Sequence, residues 1–458
     1  MIHRDETPSL DVLHEAITAG LPDEQERWDC ALENEDFYQL RNEQYIERRP
    51  SEEDVDFQAR PKRTSHMTRT VVRKLAAPLY KPGPTRRLTT SAAVDAWLQE
   101  VYRQVHVNAK MQSANRAAIL NHVAALQVEA TGDSGRPIRL MLWKGHEFAV
   151  FCDDGEIDRP WAVVTRDTIP AGLGRIRARY RAWSATETRT YLSEPYAKNE
   201  AASGKRTVLV ESDANPLGIL PFVLVRNAPV ESEFWEGGIG TALKTCNMEI
   251  DRELSDIAEH AKEFLNPKFF LKNVATSWRG VERVGAAMHL KPAPGTRDGD
   301  NSIEPDAFYR QADLGVEAAW FNLKNYADMT IEELEVPLTA VRSDAATDLS
   351  GIAIVAKTLP LLDYTRDRQP QFTEYEEDLA RVILAVGGRA YEGGDDLAAA
   401  GDGDPGFECV WPEPQLPLPT PERDQQDAAE LEAGLTDPIE VIARRRGLTL
   451  QQAEAAAK

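Results

Sequence analysis

The 458-residue chain carries 53 Lys and Arg against 75 Asp and Glu, a formal charge of −22 that excludes a simple polyanion-binding protein. Its 42% apolar content is enough for real cores and its 28% charged content keeps a surface wet, so the chain reads as globular, with roughly 100 to 200 residues per domain predicting two to four structural units. The oily stretches Gly218–Val225 and Leu359–Leu362 are cut short by Pro221, Arg226, Pro360 and Asp363, below the roughly 18 apolar residues of a membrane span.

The start, Met1-Ile2-His3-Arg4-Asp5-Glu6, lacks the basic-then-apolar run of a secretory signal, which predicts a protein made and kept in the cytoplasm. From Ser9 to Gly20 a short helix is expected, with Ser9 as N-cap, Leu10, Leu13 and Ile17 on one side and Gly20 as the stop. An acidic, aromatic-dotted stretch follows. Between Arg60 and Arg87 lie nine basic residues, Arg60, Lys62, Arg63, Arg69, Arg73, Lys74, Lys81, Arg86 and Arg87, and no acid. A solvated face or a clamp onto an acidic neighbouring surface is the favoured reading of this run, with contact to nucleic acid as the alternative.

Ser91–His122 reads as helices, with Val94, Trp97, Leu98 and Val101 repeating at three and four, and Ala117–Leu126 is rich in helix formers. From Pro137 the period switches. Ile138–Trp143, Phe148–Cys152, Trp161–Val164, Arg179–Trp183, Thr188–Leu192, Thr207–Val210 and Phe222–Val225 predict a meandering antiparallel sheet with Gly, Pro and Asp turns.

After Gly237-Gly238 a long helix is predicted with a single apolar stripe, Ile239, Leu243, Cys246, Ile250, Leu254, Ile257, Ala261 and Phe264. Some 25 residues at about 1.5 Å each make a rod of roughly 37 Å, ended by Asn266-Pro267. Strand and turn chemistry follows, with Phe269–Leu271 and Ala286–Leu290 as strands and 292–301 as a loop. A second rod then carries Val316, Trp320, Leu323, Ala327, Ile331 and Leu334 and stops at Val336-Pro337. Beyond a polar link, 339–347, Asp348 or Ser350 caps a third helix that Pro360 should kink. A further helical stretch with Phe372, Tyr375, Leu379, Val382, Ile383 and Val386 runs to Gly387-Gly388. Gly393–Gly406 is expected to be a loop and Pro412–Pro421 a proline-rich linker. Two short helices close the chain, signalled by Asp437-Pro438 with Glu440 and by Thr449 with Gln452.

Chemical motifs are sparse. Gly132-Asp133-Ser134-Gly135 matches a serine-protease nucleophile string but reads as a turn, because what precedes it is helical and the nearest upstream histidine is His122. Gly237-Gly238-Ile239-Gly240 opens a helix but lacks the Gly-Lys-Ser/Thr ending of a phosphate loop. The eight histidines make no cluster of ligand spacing, and Cys30, Cys152, Cys246 and Cys409 form no Cys-x-x-Cys pair, so neither a metal nor another cofactor is expected. Of the adjacent acidic pairs Asp153-Asp154, Glu376-Glu377 and Asp395-Asp396, the first and last sit in predicted turns, where solvation explains them better than acid–base work. The tail 436–455, with Arg444-Arg445-Arg446, reads as a packing pair of helices in preference to a DNA reader.

The order of these elements resembles that of the tailed-bacteriophage portal proteins, the ring at one capsid vertex. The most specific piece is Asn215-Pro216-Leu217-Gly218-Ile219-Leu220-Pro221-Phe222-Val223 followed by Arg226-Asn227, similar to the family's segment just ahead of its first stem helix. Then come the Gly-rich start and the helix ending Asn266-Pro267, an insert, the second rod closing on Glu335-Val336-Pro337, and Leu349-Ser350-Gly351-Ile352-Ala353 opening the next helix. Gly434-Leu435-Thr436 and the closing helices are similar to the family's tail.

The resemblance implies an α+β portal fold: an α/β wing (1–236 and 351–420), a two-helix stem hairpin (237–265 and 315–337), a small α/β clip (266–314), a tunnel loop (338–350), a long kinked helix and a short helical crown (421–458). It implies no catalysis and no cofactor. It implies a homo-oligomer, a dodecameric ring in the virion, assembled in the host cytoplasm. Its partners would be the terminase large subunit, head-completion or adaptor proteins, the major capsid protein and the double-stranded DNA passing through the channel, with no membrane. Val341, Arg342, Ser343 and Asp344 would face the duplex. Ile239, Leu243, Ile250, Leu254, Ile257, Trp320, Leu323 and Ile331 would pack the stem, and Arg279, Arg283, Lys291 and Arg297 would meet partners at the clip. The rivals are another phage head protein, minor head or adaptor, and a cytoplasmic enzyme with an unrecognised site.

Overall fold

In the computed structural model the described residues are 8–50, 52–133, 135–153, 156–197, 200, 205–230, 233–236, 238–264, 268–272, 306–310, 316–336, 351–390, 394–402, 406–412, 427–432 and 436–441. They fall into two compact units, one of Met1–Arg41, His66–Thr245 and Thr330–Lys458, the other of Asn42–Ser65 and Cys246–Met329.

The first unit mixes helices and sheets. The Ser9 hydroxyl accepts from the Asp11 amide at 3.2 Å and caps a 3-10 turn, Leu10–Leu13, that runs into α1 (His14–Thr18). Leu10, Leu13 and Ile17 are buried, as their spacing predicts. The acidic stretch beyond is α2 (Pro22–Tyr38), begun by a proline and two acids that suit a helix N-terminus and anchored by buried Trp28 and Phe37. In the second unit the neighbouring segment forms α3 (Asp54–Ala59). Back in the first, α4 (Met67–Ala76) precedes β1 (Thr85–Leu88).

Helices α5 (Ala92–Val105), capped by Ser91, and α6 (Val107–Asn121) occupy the predicted helical region. The expectation of helix through Leu126 fails: β2 (Val123–Ala130) begins directly after His122, whose φ of 70° turns the chain. Tertiary burial overrides propensity here. Ala124, Leu126 and Val128 face a core with α5 and α6, while Val123 and Ala125 face another with Phe148 and Phe222, so a strand satisfies both sides where a helix would not.

β2 is central in a three-stranded antiparallel sheet, between β3 (Ile138–Trp143) and β10 (Phe222–Arg226). Between them runs the predicted meander: β4 (Phe148–Asp153), β5 (Glu156–Gly172), β6 (Arg175–Ser184), β7 (Glu187–Ser193), the short β8 (Tyr196–Ala197) and β9 (Thr207–Ala214). Their order is β4-β5-β6-β7-β9, with β8 beside β6. Alternate residues Ala178, Tyr180 and Ala182 bury one face of this sheet under Leu10, Ile17 and Trp28.

The long helix α7 (Gly240–Phe264) and α8 (Val316–Glu333) lie where their stripes predict, and β11 (Lys268–Lys272) pairs antiparallel with β12 (Asp306–Arg310). The predicted strand 286–290 and loop 292–301 lie outside the described residues. Two expectations further on are corrected. The two stretches read from spacing are one helix, α9 (Gly351–Ala390), continuous through Pro360, Pro370 and Gly387-Gly388, a long helix as the resemblance implies, and the Gly/Asp cluster holds α10 (Asp395–Asp402). The glycines are there for contact: a Cβ on Gly388 would stand 2.2 Å from the Ala398 nitrogen, and one on Gly401 would stand 2.6 Å from the Ala385 nitrogen. After α10, β13 (Phe407–Val410) pairs with β1. At 437 the predicted cap forms, Asp437 accepting from the Ile439 amide at 3.1 Å and Glu440 from the Asp437 amide at 3.3 Å. No helix among the described residues is long and apolar enough to cross a membrane.

Candidate assembly surface

Gly238 and Gly240, at the start of α7, serve packing. Gly240 lies so close to α6 that a Cβ would stand 1.9 Å from the Leu120 carbonyl oxygen, and the Gly238 amide donates to His122 Nδ1 at 2.9 Å. Gly238 and Gly240 thus make a helix start pressed against the end of α6. Leu243 is fully buried with Val71, Val72, Leu75 and Ile119 in the first unit's third core, which Ile239 and Leu334 flank and which also contains Ile331. Lys244, within the rod, pairs with Glu33 at 2.6 Å.

In the second unit α7 shows a face that the apolar stripe did not announce. Asn247, Asp251 and Ser255, spaced by four, are buried. Asp251 accepts from Asn42, from the Ser65 amide and from Asn247, and Ser255 accepts from the Arg63 amide at 3.0 Å. Burial pushes the Asp251 carboxyl above its ordinary value, against the pull of those donors. Irregular backbone needs such partners, and this polar row supplies them to Arg63 and Ser65. Arg49 pairs with Asp256 and with Glu259 at 2.7 Å, and the hydrogen bond to Asp256 raises its pKa. Arg60 is buried against Asp256 and Glu52.

The nine-cation run therefore splits. Arg60 clamps acids inside the second unit, and Arg86 is buried against Glu376 in the first. Arg73 and Arg87 are exposed. The Gly132-Asp133-Ser134-Gly135 segment joins β2 to β3, with Asp133 accepting from the Gly135 amide at 2.9 Å, as a turn would. Ser134 lies outside the described residues. Among the described residues no group of three or more His, Cys, Asp or Glu could hold a metal ion, and the four cysteines are free thiols.

Of the residues assigned to rod packing, Leu243, Ile250 and Ile331 are buried and Ile239, Leu254, Ile257 and Leu323 are half-buried. Trp320 is not buried: it is 57% exposed. Phe321 and Met329 on the same helix are 63% and 58% exposed. With Tyr326, 41% exposed, four large side chains are uncovered on this 18-residue helix, more than a helix covered by its own chain leaves in water. Spacing analysis assigned Trp320 to a packing face but missed Phe321, which lies outside the three-and-four repeat. Val341, Arg342, Ser343, Asp344, Arg279, Arg283, Lys291 and Arg297 lie outside the described residues.

No family model matches the chain, and no curated protein matches it. Among solved structures, it is similar to a chain in the neck of an empty gene transfer agent particle computed with C6 symmetry, with 14% identity over 83% of this chain and 88% of that one and a TM-score of 0.40. It is also similar to a chain in the virion of a native gene transfer agent particle, with 12% identity, 83% and 88% coverage and a TM-score of 0.39. Likeness at this level decides neither fold nor function.

Proposed function

We propose that the chain is a portal protein, a ring of identical subunits at a unique capsid vertex through which DNA is packaged and ejected. One observation carries this reading: two amphipathic helices, α7 and α8, bracket an antiparallel strand pair, and α8 leaves Trp320, Phe321 and Met329 uncovered. Large side chains of this kind lose free energy in water, on the order of 1.5 to 3 kcal/mol each when left out of a core. Identical copies about an axis cover such side chains without any second protein.

The order of motifs from Asn215-Pro216 to Leu349-Ser350-Gly351 supports the same reading, and twelve subunits is the number the resemblance brings with it. The acidic balance suits a duct. Each phosphate neutralised by Lys or Arg adds salt-dependent affinity, so a bore poor in cations lets a duplex slide. Val341, Arg342, Ser343 and Asp344 then line the passage, and Arg279, Arg283, Lys291 and Arg297 dock the terminase motor and later the neck proteins. The ATPase chemistry belongs to the motor, not to this chain.

Mass measurement of the purified full-length chain and two-dimensional class averages test this. A ring with rotational symmetry, a central hole and a flared rim is expected; a compact monomer at high concentration overturns it. A minor head or adaptor protein would lack the channel and rim.

A further inference from the structure

A cleft of about 810 Å³ opens in the first unit between the turn after β10, the start of β5 and the middle of α9. Arg226 and Arg368 both line it. Four other inward-facing arginines meet carboxylates: Arg86 meets Glu376, Arg60 meets Asp256, Arg189 meets Asp11 and Glu187, and Arg27 meets Glu24. Neither Arg226 nor Arg368 has an ion pair among the described residues.

Arg368 is only 7% exposed. Its Nη1 donates to the Tyr364 hydroxyl at 3.2 Å and its guanidinium lies over the Phe372 ring at 5.1 Å, but Nε and Nη2 have no hydrogen-bond partner. Arg226 lies 4.4 Å over the Phe234 ring, donates a long 3.4 Å bond to the Asp158 carbonyl, and leaves Nε unpartnered. Burial lowers its pKa, against the upward pull of Tyr375, Cys152 and Asp158. Both guanidinium charges act on the hydroxyl of Tyr375, which accepts from Gln371 at 2.7 Å. Two cations with unmade bonds on aromatic supports are costly unless an anion completes them.

The rim decides which anion. Asp158, Asp367 and Glu374 are exposed residues of the same cleft, and three carboxylates repel a strand of phosphates far more than they repel a single charge. We infer that this cleft binds an acidic peptide segment of another polypeptide, with one Glu or Asp carboxylate taken by Arg226 and Arg368. The planar guanidinium matches a carboxylate fork, and the aromatic supports accept the aliphatic part of the side chain. This site needs no ring.

The test is fluorescence anisotropy with the full-length protein and a short labelled Gly-rich peptide carrying a single Glu. The same peptide with Gln in that place serves as the control, and a single-stranded DNA oligonucleotide and inorganic phosphate serve as competitors. Saturable binding is expected, weaker by at least about tenfold for the Gln peptide and for the Arg368→Gln and Arg226→Gln variants. Circular dichroism establishes that the variants fold. Should either fail to fold, the exposed-rim variant carrying Asp367→Asn and Glu374→Gln gives the second measurement, and it should bind the Glu peptide more tightly. No saturable binding, equal binding of the Gln peptide, an unchanged rim variant, or displacement by DNA or phosphate at concentrations where unlabelled Glu peptide is ineffective overturns the inference.

Discussion

The Glu376 carboxylate holds three segments of the first unit together. Arg86 donates to it through Nε at 2.7 Å and Nη2 at 2.6 Å, and the Tyr80 hydroxyl donates at 2.7 Å. Burial works against the charge on Arg86, and the carboxylate more than offsets it, so its pKa lies above the ordinary value. Glu376→Gln leaves that guanidinium buried without a counter-charge, and a loss of about 3 to 5 kcal/mol is expected from the urea midpoint. Tyr80→Phe removes one bond to a charged group and should cost about 1.5 to 3 kcal/mol. His146 provides a pH signature. Burial, with Lys144 and Arg166 adding repulsion, holds its pKa down at about 4, against 6.5 for a free imidazole. The nearby Glu147 oxygen, at 3.8 Å, therefore faces a neutral ring. Between those values the unfolded chain binds the extra proton. Stability is thus intact above pH 6.5 and falls on acidification, by on the order of 3 kcal/mol once pH 4 is reached. Denaturant titrations across that window should show this slope reduced in His146→Asn; an unchanged slope assigns it to other groups.

At the scale of elements, glycine is where pattern reading and packing part company. Gly387-Gly388 reads as a helix stop, and an isolated helix would gain about 1 kcal/mol from alanine there. Inside α9 the same change drives a Cβ into the backbone of α10, so Gly388→Ala should lower stability by about 1 to 3 kcal/mol in urea titrations. A rise would mean the two helices separate easily. This explains what the sequence made legible. Stripes such as Leu10, Leu13 and Ile17, or Val94, Leu98 and Val101, and alternation such as Arg179–Trp183 report burial directly, because one residue's exposure depends on its own element's period. The strand at Val123, the helix at Asp395–Asp402 and the continuity of α9 depend on what lies opposite, and no local period encodes that. The cleft was hidden for the same reason. Arg226 belongs to a recognised motif and Arg368 to an unremarked helix turn, and only the fold brings them to one cavity.

For the whole molecule, residues of the same apolar spacing have different surroundings. Leu243 sits in a core of its own chain, whereas Trp320 and its neighbour Phe321 remain 57% and 63% exposed. Their substitutions should therefore separate folding from assembly. Leu243→Ala removes buried methyl groups and is expected to cost about 2 to 5 kcal/mol in the unfolding of the subunit itself. Trp320→Glu together with Phe321→Glu removes little that a single chain buries, so far-ultraviolet circular dichroism and the urea midpoint measured on dissociated subunits should stay near wild type. In a ring, however, those carboxylates would be desolvated against a neighbour that already carries a share of the −22 charge. Under the proposed ring, sedimentation and class averages should then show rings for the parent and subunits for the double variant. Rings that persist at full occupancy would place the contact between copies elsewhere and remove α8 from the assembly surface. Destabilised subunits would show that the two side chains belong to the fold of one chain.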